Sequence, residues 1–336
     1  MKKIKLILLP ILIFSLIIIN LSSCTTKKKL TKIRLNEVTH SIFYAPQYVA
    51  IGQGFFKEEG LDIELINGGG ADKVMTALLS GQCDIGFMGP EASLYVYNEG
   101  KEDYAVNFIQ LTQKDGSFLV AREPDPDFNW GKLKGKHVIA GRKGGVPEMT
   151  LEYVIRKNGL VANQDVICDT TIQFNLMAGA FTGGTGDYVA LFEPTASLLE
   201  REGKGYIVAS IGKDSGEVAY TCYSAKKSYI EKNKDIIQKF TNAIYKGQLW
   251  VEKSSHEEIA KVLKPFFPDA DEDLLVTVVK RYKEQDTWSK NPILKPEAFD
   301  LLQTIMSQAG ELDKKVPYEK VVTTEFAEKA MEMIKQ

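Results

Sequence analysis

Leu61-Asp62-Ile63-Glu64-Leu65-Ile66-Asn67-Gly68-Gly69-Gly70 and, downstream of it, Asp84-Ile85-Gly86-Phe87-Met88-Gly89-Pro90-Glu91 decide the architecture. The first stretch alternates apolar with acidic residues over 61–66, the period of a strand with one covered face, and its triple glycine closes it as a turn. Between the two, Val74, Ala77 and Leu78 recur at helical spacing over residues 72–80, and Gly81 stops them. The second stretch begins as a short buried strand over 84–88. It leads through Gly89-Pro90-Glu91 into a helix that ends near Tyr97. Strands and helices alternating at these lengths predict a mainly parallel sheet covered on both faces.

The pattern extends in both directions. Residues 32–38 alternate as a strand, and Ser41-Ile42-Phe43-Tyr44-Ala45-Pro46 opens a helix over 47–53. Residues 106–111 form another strand. The pattern then restarts with a strand at 136–140, a glycine-rich turn at 141–145, a helix at 147–158 and strands at 166–172, 188–192 and 206–211. Two such units in succession predict two lobes. Residues 117–121 and 218–223 are extended segments suited to carry the chain across and back, as a two-stranded hinge. Beyond Lys226 strand signals vanish, and helices are expected over 229–253, 257–267, 272–286, 296–310 and 324–335. Such a tail has no strand to add to a sheet, so it packs back on one lobe. The expected fold class is α/β, with lobe one over 33–120 plus 220–336 and lobe two over 121–219. The aromatic run Phe240, Tyr245 and Trp250 reads as core.

The start of the chain speaks to location. Lys2, Lys3 and Lys5 precede an almost wholly apolar run over residues 6–21, followed by Leu21-Ser22-Ser23-Cys24. That run is short for a spanning helix and suits a signal peptide. Two small residues before a cysteine resemble a lipobox, so Cys24 is the expected lipidation site, with residues 1–23 removed and 24–32 a polar tether. A plain secretory signal or an uncleaved anchor are the alternatives. Two acyl chains on Cys24 anchor a protein stably without a spanning helix. The expected location is therefore the extracytoplasmic face of the cell membrane.

Composition narrows the partners. Charged residues make up 26% and hydrophobic residues 44%, ordinary values for a folded soluble chain. Losing the three leader lysines takes the net charge from −2 to −5, and no basic stripe appears, which argues against nucleic acid. Cys83, Cys168 and Cys222 are too widely spaced for a metal site or a disulfide framework, and read as small core residues. A single Cys168–Cys222 bridge stays open, because sequence reports no distance. Neither GxxxxGK[ST] nor GxGxxG occurs, so no nucleotide site is supported. No cofactor and no metal are expected.

In open α/β sheets, ligands gather beyond the carboxyl ends of the strands. Four segments have the right strand–turn–helix form: 41–46, 68–71, 89–93 and 141–148. Glycine there lets a ligand reach free backbone N–H groups, and the start of a helix favours an anion. Glu193 closes the strand 188–192 just before Pro194. It reads either as a carboxylate facing the cleft, accepting hydrogen bonds from an amine, or as a cap for the helix 195–200. Arg142 offers the opposite chemistry, a fork of donors for an anion.

These segments resemble a known family. Phe43-Tyr44-Ala45-Pro46-Gln47-Tyr48-Val49-Ala50, Gly54-Phe55-Phe56-Lys57-Glu58-Glu59-Gly60-Leu61 and Ala77-Leu78-Leu79-Ser80-Gly81-Gln82-Cys83-Asp84-Ile85-Gly86 are similar to signatures of periplasmic-type solute-binding proteins. The branch serves nitrate, taurine and alkanesulfonate importers and the uptake of thiamine-pyrimidine precursors. The resemblance implies two lobes of the periplasmic-binding-protein-like type II fold. It also implies a small-molecule solute between them, an ABC permease with its ATPase as partners, and a monomeric binding protein. By position, the family's pocket falls on Ser41, Tyr44, Gly70, Glu91, Thr112, Arg142, Glu148 and Glu193. Here Gly145-Val146-Pro147-Glu148 stands where sulfonate binders carry a Gly-Ser pair, which removes a hydroxyl and adds a carboxylate. That favours an amine-bearing heterocycle, with sulfonates, taurine or nitrate as the alternative. A pyrimidine-making enzyme shares the fold, but it resembles a chain with a cysteine cluster and paired histidines. His40, His137 and His256 stand alone here, and His40 reads as a hydrogen-bonded structural residue.

Overall fold

The computed structural model describes residues 29–334, so the leader and Cys24 lie outside the described residues. The chain opens with β1 (Thr31–Glu37), a 3-10 turn at Ile42–Tyr44, α1 (Ala45–Gly52), α2 (Phe55–Glu58), β2 (Leu61–Asn67), α3 (Ala71–Ser80), β3 (Ile85–Met88), α4 (Glu91–Asn98) and β4 (Ala105–Thr112). Then come β5 (Ser117–Ala121), β6 (His137–Ile139), α5 (Val146–Lys157), β7 (Ile167–Asp169), α6 (Met177–Thr182), β8 (Tyr188–Phe192), α7 (Thr195–Arg201), β9 (Tyr206–Ser210) and α8 (Ile211–Ser215). A last strand, β10 (Thr221–Lys226), precedes the helical tail. The tail comprises α9 (Lys227–Lys232), α10 (Lys234–Lys253), α11 (His256–Leu263), α12 (Glu272–Glu284), α13 (Pro296–Gln308), α14 (Tyr318–Val321) and α15 (Glu325–Met333).

Two five-stranded sheets result, in the orders β2-β1-β3-β10-β4 and β7-β6-β8-β5-β9. The deciding stretch behaves as its pattern dictates. β2 is an edge strand with Asp62 and Glu64 exposed, whereas every residue of β3 is buried between covered faces. α3 turns its apolar side inward and ends at Gly81, whose φ of 78° suits glycine alone among common residues. The sheets are less parallel than expected. β10 runs antiparallel to β3 and β4, and β5 antiparallel to β8 and β9. Each of these strands enters its sheet straight from the interlobe crossing and so runs against its neighbours.

The hinge is displaced from the expected segments. Residues 117–121 and 221–226 lie inside the sheets, and the crossings are residues 113–116 and 216–220. Val218 N–H donates to Gln113 O at 2.8 Å, tying the two crossings together. A third piece of chain runs beside them: Gln113 N–H reaches Thr287 O at 2.9 Å, and Gln285 Nε2 reaches Asp115 O at 2.6 Å.

The tail packs mainly on lobe one, where α10 buries Ile237, Phe240 and Ile244 and lies against α1. It also reaches lobe two, because α13 packs against α5. The helix expected over 229–253 is divided at Asn233, whose side chain donates to Tyr229 O at 2.9 Å. Asn is prone to such local competition with the helix ladder. Cys83, Cys168 and Cys222 are buried free thiols. Cys168 and Cys222 stand in different sheets, so they form no bridge. Burial pushes the Cys83 thiol up to about 11 and that of Cys168 to about 12, which leaves both unreactive.

Candidate functional site

The turns that follow β1 and β3 in lobe one meet those that follow β6 and β8 in lobe two. Ser41 caps the turn after β1, accepting from Phe43 N–H at 3.2 Å, and its hydroxyl donates across the cleft to Glu193 O at 3.1 Å. Phe43 meets Phe192 of the other lobe at a ring separation of 5.3 Å and Tyr220 at 5.5 Å. Tyr44 is buried with its edge on Phe87, 4.5 Å between centroids. Aromatic pairs in such arrangements are favourable beyond the area they bury. On the far side, Tyr95 Oη donates to Gly144 O at 3.0 Å, and Arg142 Nε stands 3.8 Å from Asp72 Oδ1. The lobes are closed on each other.

Glu91 is the first residue of α4 and only 2% exposed. Its side chain folds back over Gly89, where any Cβ would overlap the carboxyl group and come within 2.9 Å of Val146 Cγ2. Burial pushes this carboxyl up to about 7. Arg142, and the amides of Glu91, Ala92 and Val146, pull in the other direction. Even so, Oε2 makes no hydrogen bond. Of the other buried polar atoms without partners among the described residues, three lie toward the cleft: Thr112 Oγ1 at the carboxyl end of β4, Asp115 Oδ2 in the crossing, and Tyr220 Oη; the rest are on Asn36, Thr150, Arg156, Gln248 and Ser289. Burial raises Asp115 to about 7, although its Oδ1 takes both the N–H of Ser117 at 2.6 Å and its hydroxyl. Tyr220 stands close to Asp115 without a well-formed hydrogen bond between them, and burial, followed by the Asp115 charge, drives its hydroxyl far above the ordinary tyrosine range. Unpaired buried polar groups are costly, and a group of them marks where a partner belongs.

The remaining expected residues fall at the edges of this cluster. Gly70 is half-buried at the start of α3, beside Asp72. Glu148 is buried in the first turn of α5 and accepts from Gly144 N–H at 3.1 Å. Burial, and then the charge of Glu152, push it up to about 8. Glu193 departs from the solute-facing reading in this closed form. Its Oε2 accepts from Ser197 N–H at 2.9 Å, and its Oε1 accepts from Ser197 Oγ at 2.8 Å and from Arg281 Nη1 at 3.0 Å. It is a cap of α7, but a fully buried one, paired to a cation from the tail.

Sequence reasoning missed Asp115, Tyr220, Tyr95 and Arg281. Asp115-Gly116-Ser117 carried a readable turn signal, since Asp before Gly and Ser favours a side-chain-closed turn. Arg281 had none, because it lies in a tail helix and reaches the cleft only through tertiary packing. Behind the aromatic wall, Glu37 is buried and accepts from Gln47 Nε2 at 2.7 Å and Tyr48 Oη at 2.8 Å. His40 rests on Glu37 Oε1 at 3.0 Å and on Phe266 O at 2.9 Å, so both ring nitrogens are engaged. Two open crevices lie elsewhere, one of about 570 Å³ along the tail from Tyr318 to Glu332 and one of about 240 Å³ behind the hinge. The second is lined by one unpartnered buried atom, Ser289 Oγ, and neither is lined by Glu91, Thr112, Asp115 or Tyr220.

Two α/β lobes, a double crossing and polar groups converging between them define a cleft protein of the periplasmic-binding-protein-like fold. The chain belongs to the NMT1/THI5-like family, whose profile it matches over residues 42–257. It is 50% identical over 309 residues to the "Putative binding protein YtlA" of Bacillus subtilis (strain 168), covering 92% of each chain. The "4-amino-5-hydroxymethyl-2-methylpyrimidine phosphate synthase" of Aspergillus parasiticus is 23% identical over 220 residues, 62% of this chain and 63% of that one. Among solved structures, the alkanesulfonate-binding protein SsuA of Xanthomonas axonopodis pv. citri, bound to MOPS, superposes with a TM-score of 0.70. It is 16% identical, and the match covers 88% of this chain and 99% of that one, so it speaks for the fold.

Proposed function

We propose that this chain is the solute-binding lipoprotein of an ABC importer, held by Cys24 on the extracytoplasmic face of the membrane and acting as a monomer that hands its solute to a permease. The family, the binding-protein relative and the two-lobed cleft support the binding role. The residues favour an amine-bearing heterocycle, of the kind a thiamine-pyrimidine precursor represents, over sulfonates, taurine or nitrate. One observation carries that preference: the buried cleft atoms without partners include two carboxylate oxygens, Glu91 Oε2 and Asp115 Oδ2. An amine or amidine would satisfy such acceptors and favour their ionised form, whereas an oxyanion would be repelled by that form. The aromatic wall of Phe43, Phe192 and Tyr220 suits a flat ring.

An enzyme of the same fold is the other reading, prompted by the synthase relative. Against it, the three described cysteines are buried and apart, and His40 has both nitrogens occupied by protein. A thermal-shift screen of the mature chain against aminopyrimidines, aliphatic sulfonates and nitrate tests the proposal. Stabilisation by an aminopyrimidine alone supports it. Stabilisation by sulfonate or nitrate alone contradicts the preferred class, and turnover of the aminopyrimidine contradicts the binding role.

A further inference from the structure

We infer that Glu91 is a built-in carboxyl that sets the charge selectivity of the cleft, seated where two helix starts would otherwise receive the acidic group of a solute. The inference rests on the solute-binding reading and deepens it. α4 begins at Glu91 in lobe one and α5 begins at Val146 in lobe two, and the closed cleft brings these starts together over Gly89. The first amides of a helix have no partner within the helix, and their dipoles favour negative charge. The Glu91 carboxyl lies over Gly89, where Val146 of the α5 start also comes close. Burial opposes its ionised form there, while the charge of Arg142 and the amides at both helix starts favour it. Such a constellation is an oxyanion site in its own right.

Here it is already filled. The side chain of Glu91 turns back over its own helix start, which Gly89 permits by carrying no Cβ. A solute oxyanion would have to displace a carboxyl group tethered at that spot. The carboxylate is not sated by its surroundings either, since Oε2 is buried with no hydrogen bond. Its free edge is therefore an acceptor left for the solute. One residue thus blocks oxyanions and recruits donors.

Two substitutions separate charge from space. Glu91→Ser removes the resident carboxylate and uncovers the amides, while Glu91→Gln removes the charge but keeps the space filled. Calorimetric titration with ethanesulfonate and with 4-aminopyrimidine is the measurement, on wild type and both variants, with circular dichroism to verify that each is folded. The expected pattern is ethanesulfonate bound only by Glu91→Ser, and 4-aminopyrimidine weakened about tenfold or more in both variants, the size expected for one lost charged hydrogen bond. Ethanesulfonate bound by wild type as tightly as by Glu91→Ser overturns the inference. So does a folded Glu91→Ser that still rejects ethanesulfonate, in which case 4-aminopyrimidine binding by wild type leaves the solute-capture reading standing. Absence of binding in all three proteins overturns both.

Discussion

Arg281 Nη1 donates to Glu193 Oε1 at 3.0 Å, joining a helix of the tail to the turn after β8 in the opposite lobe. Nη2 of the same guanidinium pairs with Glu200 Oε2 at 2.5 Å, and the neighbouring Tyr282 accepts from Glu193 N–H at 3.1 Å. Burial disfavours the charge on Arg281, but hydrogen bonds to Glu200 and Glu193 outweigh it and hold the guanidinium above its ordinary value. The tail is thereby a tie between lobes as well as a cover for one.

Removing Arg281 leaves the buried Glu193 with hydrogen bonds from Ser197 but without its cation. Arg281→Ala is expected to destabilise the fold by roughly 3–5 kcal/mol, the usual cost of breaking a buried pair from one side. The double variant Arg281→Ala with Glu193→Gln should recover part of that loss. Urea unfolding of the three proteins checks it, and equal stability for the single variant and wild type would remove the ion pair from the account.

Glu148 links stability to pH. Its carboxyl is raised from 4.5 to about 8 in the fold, so between those values the folded state holds a proton that the unfolded chain has released. Stability from this group is present below pH 4.5 and is lost as pH rises through about 8. Glu148→Gln keeps an acceptor for Gly144 N–H and removes the titration. Midpoints of unfolding measured from pH 5 to about 8.5 should fall less steeply for this variant. A slope unchanged from wild type would show that Glu148 titrates normally.

Tyr95 Oη to Gly144 O is a direct clasp between the lobes on the side away from Arg281. Tyr95→Phe removes one hydrogen bond, worth about 0.5–1.5 kcal/mol. Solute affinity should weaken several-fold, chiefly through faster release. Stopped-flow displacement of bound solute reads this, and an unaltered release rate would argue that the clasp does not contribute to closure.

Much of this was legible in the chain. The alternation in β2, the apolar run of β3 and the glycine stops at Gly70 and Gly81 fixed element types and order, because local pattern and final burial agree there. The mixed direction of the sheets was not legible. β5 and β10 are buried along nearly their whole length and read the same whichever way they run, so only the crossing sets their direction. At the proposed site, the turn 89–93 that carries Glu91 was readable as a strand end, whereas Thr112 came only from the family resemblance. The partners of Glu193 were not, since Arg281 lies 88 residues away and nothing in its own helix marks it.

Cys24 carries the expectation about location. A Cys24→Ala variant should remain unprocessed in the cell and take up no fatty-acid label, with solute binding by the purified mature domain unaffected. Label entering that variant would place the lipid elsewhere or nowhere on this motif.

The central claim is that solute is captured between the lobes. Small-angle scattering of the mature chain, titrated with 4-aminopyrimidine to saturation, tests it most directly. The radius of gyration is expected to fall as the cleft closes on the ring, and Glu91→Gln should need a higher solute concentration for the same contraction. Saturable binding with no contraction, at an affinity indifferent to Glu91, would contradict it.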